Sequence, residues 1–216
     1  MHRNRVLIKY KEPVYINAKI IGKSSNKKIY DVQLDPSPVW KKKLINTIHL
    51  NYKGSNGFEE VFPLIEKLIN SKYDLLFQYN ASIIKGISQF LEIETEIVMD
   101  NTGYLTLENK LMDLEQNDYT QFPELALTKP AKKMARVLKI CENEGATVFI
   151  NAIGGTELYI KDEFKKYDLD LFFIKTLDAT YNQFSKDFYP HLSIIDVLMN
   201  NGKERTKELL NLYELV

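Results

Sequence analysis

Two stretches of the chain hold residue types that could do chemistry. In ATVFINAIGGTELY, Gly154 and Gly155 follow an apolar run and precede a short helical pattern around Asp162 to Tyr167. Glycines let a backbone come close to a ligand, and exposed N–H groups before a helix attract phosphate or carboxylate. The two glycines would stand at the carboxyl end of a strand, where α/β sheets place ligands. The alternative is a plain tight turn, because two adjacent glycines are not a full phosphate-loop motif.

The second stretch is FYPHLSIIDVLMNNG. His191 is of the residue type that can act as a general base near neutral pH. Ser193 and Asp196 stand three residues apart, the spacing of a capping box, so tying down a helix start accounts for both without any chemistry. The amide pair Asn200 and Asn201 is less easily explained, although asparagines are common at helix ends.

Other reactive types fare worse. Cys141 is the single cysteine and shares a helical face with Met134, Val137 and Leu138, where it behaves as a small hydrophobe. It excludes an intrachain disulfide. The three histidines are far apart and set no zinc spacing. His49 reads as a packing or surface residue, and Lys41 to Lys43 as a solvated face. No G-x-S-x-G elbow, P-loop or dinucleotide fingerprint occurs, and no cofactor is expected.

The elements that must position these residues are legible from periodicity. Val6, Ile8 and Tyr10 alternate with Arg5, Leu7 and Lys9, and after the break Lys11-Glu12-Pro13 Val14, Ile16, Ala18 and Ile20 alternate with Tyr15, Asn17, Lys19 and Ile21, predicting an amino-terminal β-hairpin. A turn over Gly22 to Lys28 and a third strand over Ile29 to Leu34 follow. Ser37-Pro38 opens a helix with Trp40, Leu44, Ile48 and Tyr52 on one stripe. Further helices are predicted over Phe58 to Ile69 and through Leu76, Tyr79, Ile83, Ile87 and Phe90. Thr95 to Met99 reads as a short strand. Asp100 to Pro130 has no sustained period, is acidic in its middle (Asp113, Glu115, Asp118), and reads as a long loop or lid with room for one helical turn. A helix through Met134 and Cys141 ends at Gly145. Strands follow at Ala146 to Ile153 and Leu171 to Leu177, then a helix from Ser193 to Gly202 and a last one over Glu204 to Leu215. The sum is one α/β domain over residues 1–216, with a layered, mostly parallel but mixed sheet flanked by helices.

Composition sets the class. Among 216 residues, 29 Lys and Arg balance 29 Asp and Glu, and 44% are hydrophobic. A nucleic-acid binder usually carries a basic surplus, so no nucleic-acid partner is expected. No apolar run approaches the ~18 residues of a membrane span, and the start lacks a signal peptide's apolar stretch, so a soluble cytoplasmic protein is expected.

Four segments resemble the WbqC-like family of bacterial surface-polysaccharide gene clusters. RNRVLIKYKEPVYINAKI resembles the family's RNR-type strand and hairpin. VWKKKLINTIHLNYKGSNGFEEVFPLIEKLI resembles its helical pair. KKMARVLKICENEGATVFINAIGG resembles the helix leading to its glycine loop, of which only Gly154 and Gly155 are kept. YNQFSKDFYPHLSIIDVLMNNG is similar to its Y-x-Q…P-x-L-S-I-I-D signature. The resemblance implies a role in O-antigen assembly, as a transferase moving an acyl or aminoacyl group to a nucleotide-linked amino sugar. On it, His191 would be the catalytic base, with Arg3, Arg5, Asn151, Gly154, Gly155, Tyr181, Gln183, Ser193 and Asp196 binding a sugar nucleotide or acyl donor. A non-catalytic sugar-nucleotide or protein-binding module is the rival reading. The family's usual opening, with Gln-Pro and Tyr-x-Pro-Trp, does not precede the RNR stretch. The resemblance therefore predicts an unpaired strand, at Val6 to Tyr10 or Ala146 to Ile153, and a homodimer.

Overall fold

The computed structural model describes residues 3–8, 12–22, 27–99, 102–114 and 118–216. The chain forms two compact units: Met1–Met99 with Asp178–Leu212, and Asp100–Leu177 with Tyr213–Val216.

In the first unit the hairpin is present. β1 (Arg3–Leu7) pairs antiparallel with β2 (Pro13–Asn17), Arg5 opposite Tyr15 and Val6 opposite Val14. Lys9, Tyr10 and Lys11 of the expected hairpin, residues 23–26 of the expected turn, and Asp100 and Glu115 of the expected loop lie outside the described residues. β3 (Ile20–Ile21) pairs with β4 (Gln33–Leu34). The expected third strand is shorter than its apolar pattern, because Ile29–Asp31 coils into a 3-10 turn in which Asp31 N–H returns to the Lys28 carbonyl at 3.0 Å. The stretch Thr95 to Met99 forms no strand.

Three helices follow the predicted periods: α1 (Val39–Tyr52), α2 (Phe58–Ile69) and α3 (Leu76–Phe90). α1 buries Trp40, Ile45, Ile48 and Tyr52. His49 is a packing residue, edge-on to Phe58 and Phe62 at 5.4 and 5.2 Å. Val6, Ile48, Val61, Ile65, Leu198 and Met199 share one core cluster, which places the hairpin, α1, α2 and α7 (Ile194–Leu210) around the same apolar centre.

α7 is two helical pieces joined at Gly202, whose φ of 71° and ψ of −174° break the helix. The predicted stop at Gly202 is therefore real, while the last helix is shorter than expected. It ends at Leu210, and Tyr213–Leu215 is strand β7 instead. Leucines at 209, 212 and 215 fit a helical stripe, but the backbone of Val216 exchanges two bonds with Phe173, at 2.8 and 3.0 Å. That pairing satisfies main-chain groups a further helical turn would have left at the chain's end.

In the second unit, the segment 100–130 expected as a long loop contains α4 (Leu105–Asp113) and a 3-10 turn at Pro123–Leu125. Leu107, Leu111, Leu114, Phe122 and Leu125 are buried with Met134, Leu138 and Cys141 of α5 (Lys132–Asn143). Its apolar residues are core residues: Leu107, Leu111 and Leu114 stand at helical spacing, a stripe too short to show as a sustained period, and Phe122 and Leu125 follow in irregular turns. Gly145, with φ of 63°, ends α5, and Ala146 N–H reaches back to the Cys141 carbonyl at 2.8 Å. β5 (Val148–Ala152) runs parallel to β6 (Asp170–Thr176) through the crossover that contains α6 (Lys161–Lys165), and β7 adds antiparallel to β6.

The α/β class and the hairpin thus stand, but a single layered, mostly parallel sheet does not. The described strands form two antiparallel pairs and one mixed sheet in the order β5-β6-β7. Only one crossover returns a strand beside its predecessor, so only one pair is parallel.

Candidate functional site

The signature segment is organised around a buried carboxylate. Asp196, in the first turn of α7, has no exposed surface. Tyr52 O–H donates to its Oδ1 at 2.5 Å, and Tyr181 O–H to its Oδ2 at 2.8 Å. Asn200 Nδ2 donates to Oδ2 at 3.3 Å and to the Asp196 carbonyl at 2.9 Å. Tyr52 also accepts from Leu7 N–H at 3.2 Å, which ties β1 into the network. Burial first, and the Asp196 charge second, push both phenols above their ordinary range, so both remain donors. A carboxylate enclosed by such donors is a fixed acceptor. It holds α1, α7 and the segment before α7 together, and its oxygens are committed.

That segment is pinned at several points. Gln183 brackets the Tyr189 backbone, accepting from its N–H at 2.9 Å and donating to its carbonyl at 3.0 Å. The Arg5 guanidinium donates to the Pro190 and His191 carbonyls at 3.3 and 3.2 Å. Ser193 N–H donates to the Arg5 carbonyl at 2.8 Å, while Ser193 Oγ accepts from Ile195 N–H at 3.3 Å. The expected serine cap is present; the reciprocal half of a capping box is replaced by Asp196's buried contacts. His191 sits between these ties with a left-handed backbone (φ 59°) and an exposed side chain.

Arg5, Tyr181, Gln183, Ser193, Asp196 and the backbone of His191 are thus brought into one bonded cluster. Arg3 lies further along β1, its guanidinium 4.8 Å from the Tyr15 ring centre. Asn151, Gly154 and Gly155 belong to the other unit. A β-carbon on Gly155 would stand 2.6 Å from Asn151 Nδ2 and 3.1 Å from Phe173, so close packing requires that glycine. A β-carbon on Gly154 would meet open space, and Asn151 Oδ1 accepts from Ala152 N–H at 2.8 Å.

A cavity of about 430 Å³ adjoins the amino end of α7. Ile16, Leu44, Ile65, Ile83 and Ile87 make it largely apolar. Its polar lining comes from Arg3, Asn4, Asn17, Asn80 and Ser193. Ile194 also lines it, and as the first residue of α7 its N–H has no intrahelical partner. The asparagines escaped the sequence reading. Their signal is a polar residue inside an apolar alternation, as at Asn17 after Ile16. Tyr52 was legible only as part of a buried stripe. Among the described residues, no group of His, Cys, Asp and Glu is arranged to hold a metal ion, and no helix is long and apolar enough to cross a membrane.

A sequence model of the WbqC-like protein family matches residues 1–208. The chain belongs to the WbqC-like protein family. In this WbqC-like chain the match spans both the Asp196 network and the cavity residues, and extends through the second unit's strands β5 and β6. No curated protein matches the chain significantly, and no solved structure does.

Proposed function

We propose that this WbqC-like protein is a cytoplasmic transferase of surface-polysaccharide assembly, moving an acyl or aminoacyl group onto a nucleotide-linked amino sugar. The observation that supports the reading best is the cavity beside α7. Ligand sites are concave, largely apolar and furnished with a few polar groups, within about 300–1,000 Å³. The cavity has that size and character. Its apolar side chains suit an acyl group. The Asn4 and Asn17 amides and the Ile194 N–H suit a carbonyl or phosphate oxygen, aided by the positive end of α7.

His191 stands three residues before Ile194 on the pinned segment and serves as the base. In this scheme the acceptor's amine nitrogen bonds to the acyl carbon, and the bond from that carbon to the donor's leaving group breaks. The imidazole takes the amine proton and passes it to the leaving group. Arg5 positions His191 through its carbonyl. Asn151, Gly154 and Gly155 carry no step.

The test is binding and turnover with purified protein, nucleotide-linked amino sugars and activated acyl donors. Ile83→Trp should fill the cavity and weaken binding at least ~10-fold, the effect of ~1.4 kcal/mol. His191→Ala should lower turnover by roughly 10²–10⁴ with binding intact, the usual range for a general base. Turnover unchanged in His191→Ala removes the base, and binding unchanged in Ile83→Trp removes the cavity.

One observation favours a second reading, a non-catalytic sugar-nucleotide or protein-binding module. The signature's only buried acid, Asp196, is consumed by structural bonds. On that reading ligands bind in the cavity and no acyl donor is ever turned over.

A further inference from the structure

Among the described residues, β5 has a strand partner on one side only, β6. Asp170 N–H donates to the Thr147 carbonyl at 2.9 Å, and the parallel register runs from Val148 beside Asp170 to Ala152 beside Ile174. Alternate residues of a parallel strand direct both backbone groups to one neighbour. Thr147, Phe149 and Asn151 therefore face β6, while Val148 and Ile150 turn their N–H and C=O groups away from it. No described residue bonds those groups.

The same two residues also present apolar side chains. Val148 is 45% exposed and Ile150 46%. Register places Ile174 of β6, 41% exposed, and Leu215 of β7, 45% exposed, on the same face of the sheet. The opposite face is the packed one, with Leu171 and Phe173 buried.

Natural edge strands are blunted by charge, proline or a bulge. β5 has none of these. From Gly145 to Thr156 there is no charged residue and no proline. The far edge of the sheet differs: β7 is three residues long and carries Glu214, paired with Lys175.

We propose that β5 pairs antiparallel with β5 of a second copy, about a two-fold axis at Ile150. The two three-stranded sheets then become one continuous sheet. The charge pattern selects this partner. A strand without charge set against itself places no like charges opposite each other, the arrangement that destabilises cross-strand pairs. Ile150 faces Ile150 and exchanges both backbone bonds. Val148 faces Ala152, whose own N–H is already held by Asn151. A two-fold contact also closes after two copies, which prevents an open-ended array.

Sedimentation of the full chain from about 1 to about 100 µM should show a dimer that forms with concentration, as mass action requires. Amide exchange at Val148 and Ile150 should slow over the same range. Ile150→Lys should sediment as a folded monomer. A monomer throughout, with exchange independent of concentration, overturns the proposal. So does a dimer that persists unchanged in Ile150→Lys, which would place the contact elsewhere. Should Ile150→Lys fail to fold, the concentration dependence of exchange in the unaltered chain decides. Protection of those amides only on adding a different protein would likewise overturn self-pairing.

Discussion

Removing one oxygen from Tyr52 tests whether the Asp196 network is structural. Tyr52→Phe keeps the ring and its packing but deletes two bonds: the donation to Asp196 at 2.5 Å and the acceptance from Leu7 N–H at 3.2 Å. A hydrogen bond to a charged group contributes about 1.5–3 kcal/mol, and a buried donor left unpaired costs about 1–3 kcal/mol. The two losses overlap, because Asp196 keeps Tyr181 and Asn200, so about 2–4 kcal/mol is expected. For a chain of this length that lowers the melting temperature by roughly 5–15 °C. Urea unfolding followed by tyrosine and tryptophan fluorescence reads the difference directly. Tyr181→Phe removes the bond to the other oxygen and should cost less, because Tyr181 is only partly buried. The double variant should depart from the sum of the two, since both hydroxyls serve one carboxylate. A loss below about 0.5 kcal/mol for Tyr52→Phe, within the range of an indifferent surface change, would refute the reasoning.

Three further outcomes follow from the geometry. Glu92, paired with Lys203 and Lys207 at 2.6 and 2.5 Å, has its carboxyl held down at about 2, chiefly by those hydrogen bonds. Its folded value is depressed, so its contribution is present above the unfolded value of about 4.3 and fades as pH falls towards 2. The melting-temperature gap between the unaltered chain and Glu92→Gln should be constant near neutrality and close below that window; a gap unchanged at pH 2 would contradict it. Gly57→Ala should destabilise by at least about 1–3 kcal/mol through overpacking, since its β-carbon would stand 2.6 Å from Gly202 N and press on the Leu198 carbonyl. Normal solubility and melting in that variant would show that α2 and α7 lie further apart. Leu111→Ala should cost about 2–5 kcal/mol if the segment 100–130 is core, and a loss near zero in denaturant titration would mark it as a surface lid.

The fold was legible where the pattern is local. Helix stripes through Trp40, Ile48 and Tyr52 and through Val61 and Ile65 follow from side-chain period alone. The stop at Gly202 follows from a backbone conformation that other residues adopt at a cost. What depended on distant partners was hidden. Leu212 and Leu215 fit a helix by period, yet the β6 backbone draws Tyr213–Leu215 into a sheet. Leu107, Leu111 and Leu114 do share a helical face by spacing, but the stripe is short and set among polar and acidic residues, and only its packing on α5 marks it as core. The site divides in the same way. Ser193 was legible as a cap. Asp196's burial beneath Tyr52, 144 positions earlier, leaves no trace in spacing.

The first unit is sewn from two lengths of chain, Met1–Met99 and Asp178–Leu212. A ribosome therefore releases the hairpin and α1 to α3 long before it makes α7, whose Leu198 and Met199 complete their core. At about 5–20 residues per second the wait is roughly 6–20 seconds. Throughout it, Val6, Ile48 and Val61 lack their last neighbours, and Tyr52 has no carboxylate to meet. The nascent chain spends that interval with an unfinished apolar face, the state that chaperones recognise. Damage to α7 should consequently be felt as poor yield during synthesis, before any loss of heat resistance in the finished protein is measured.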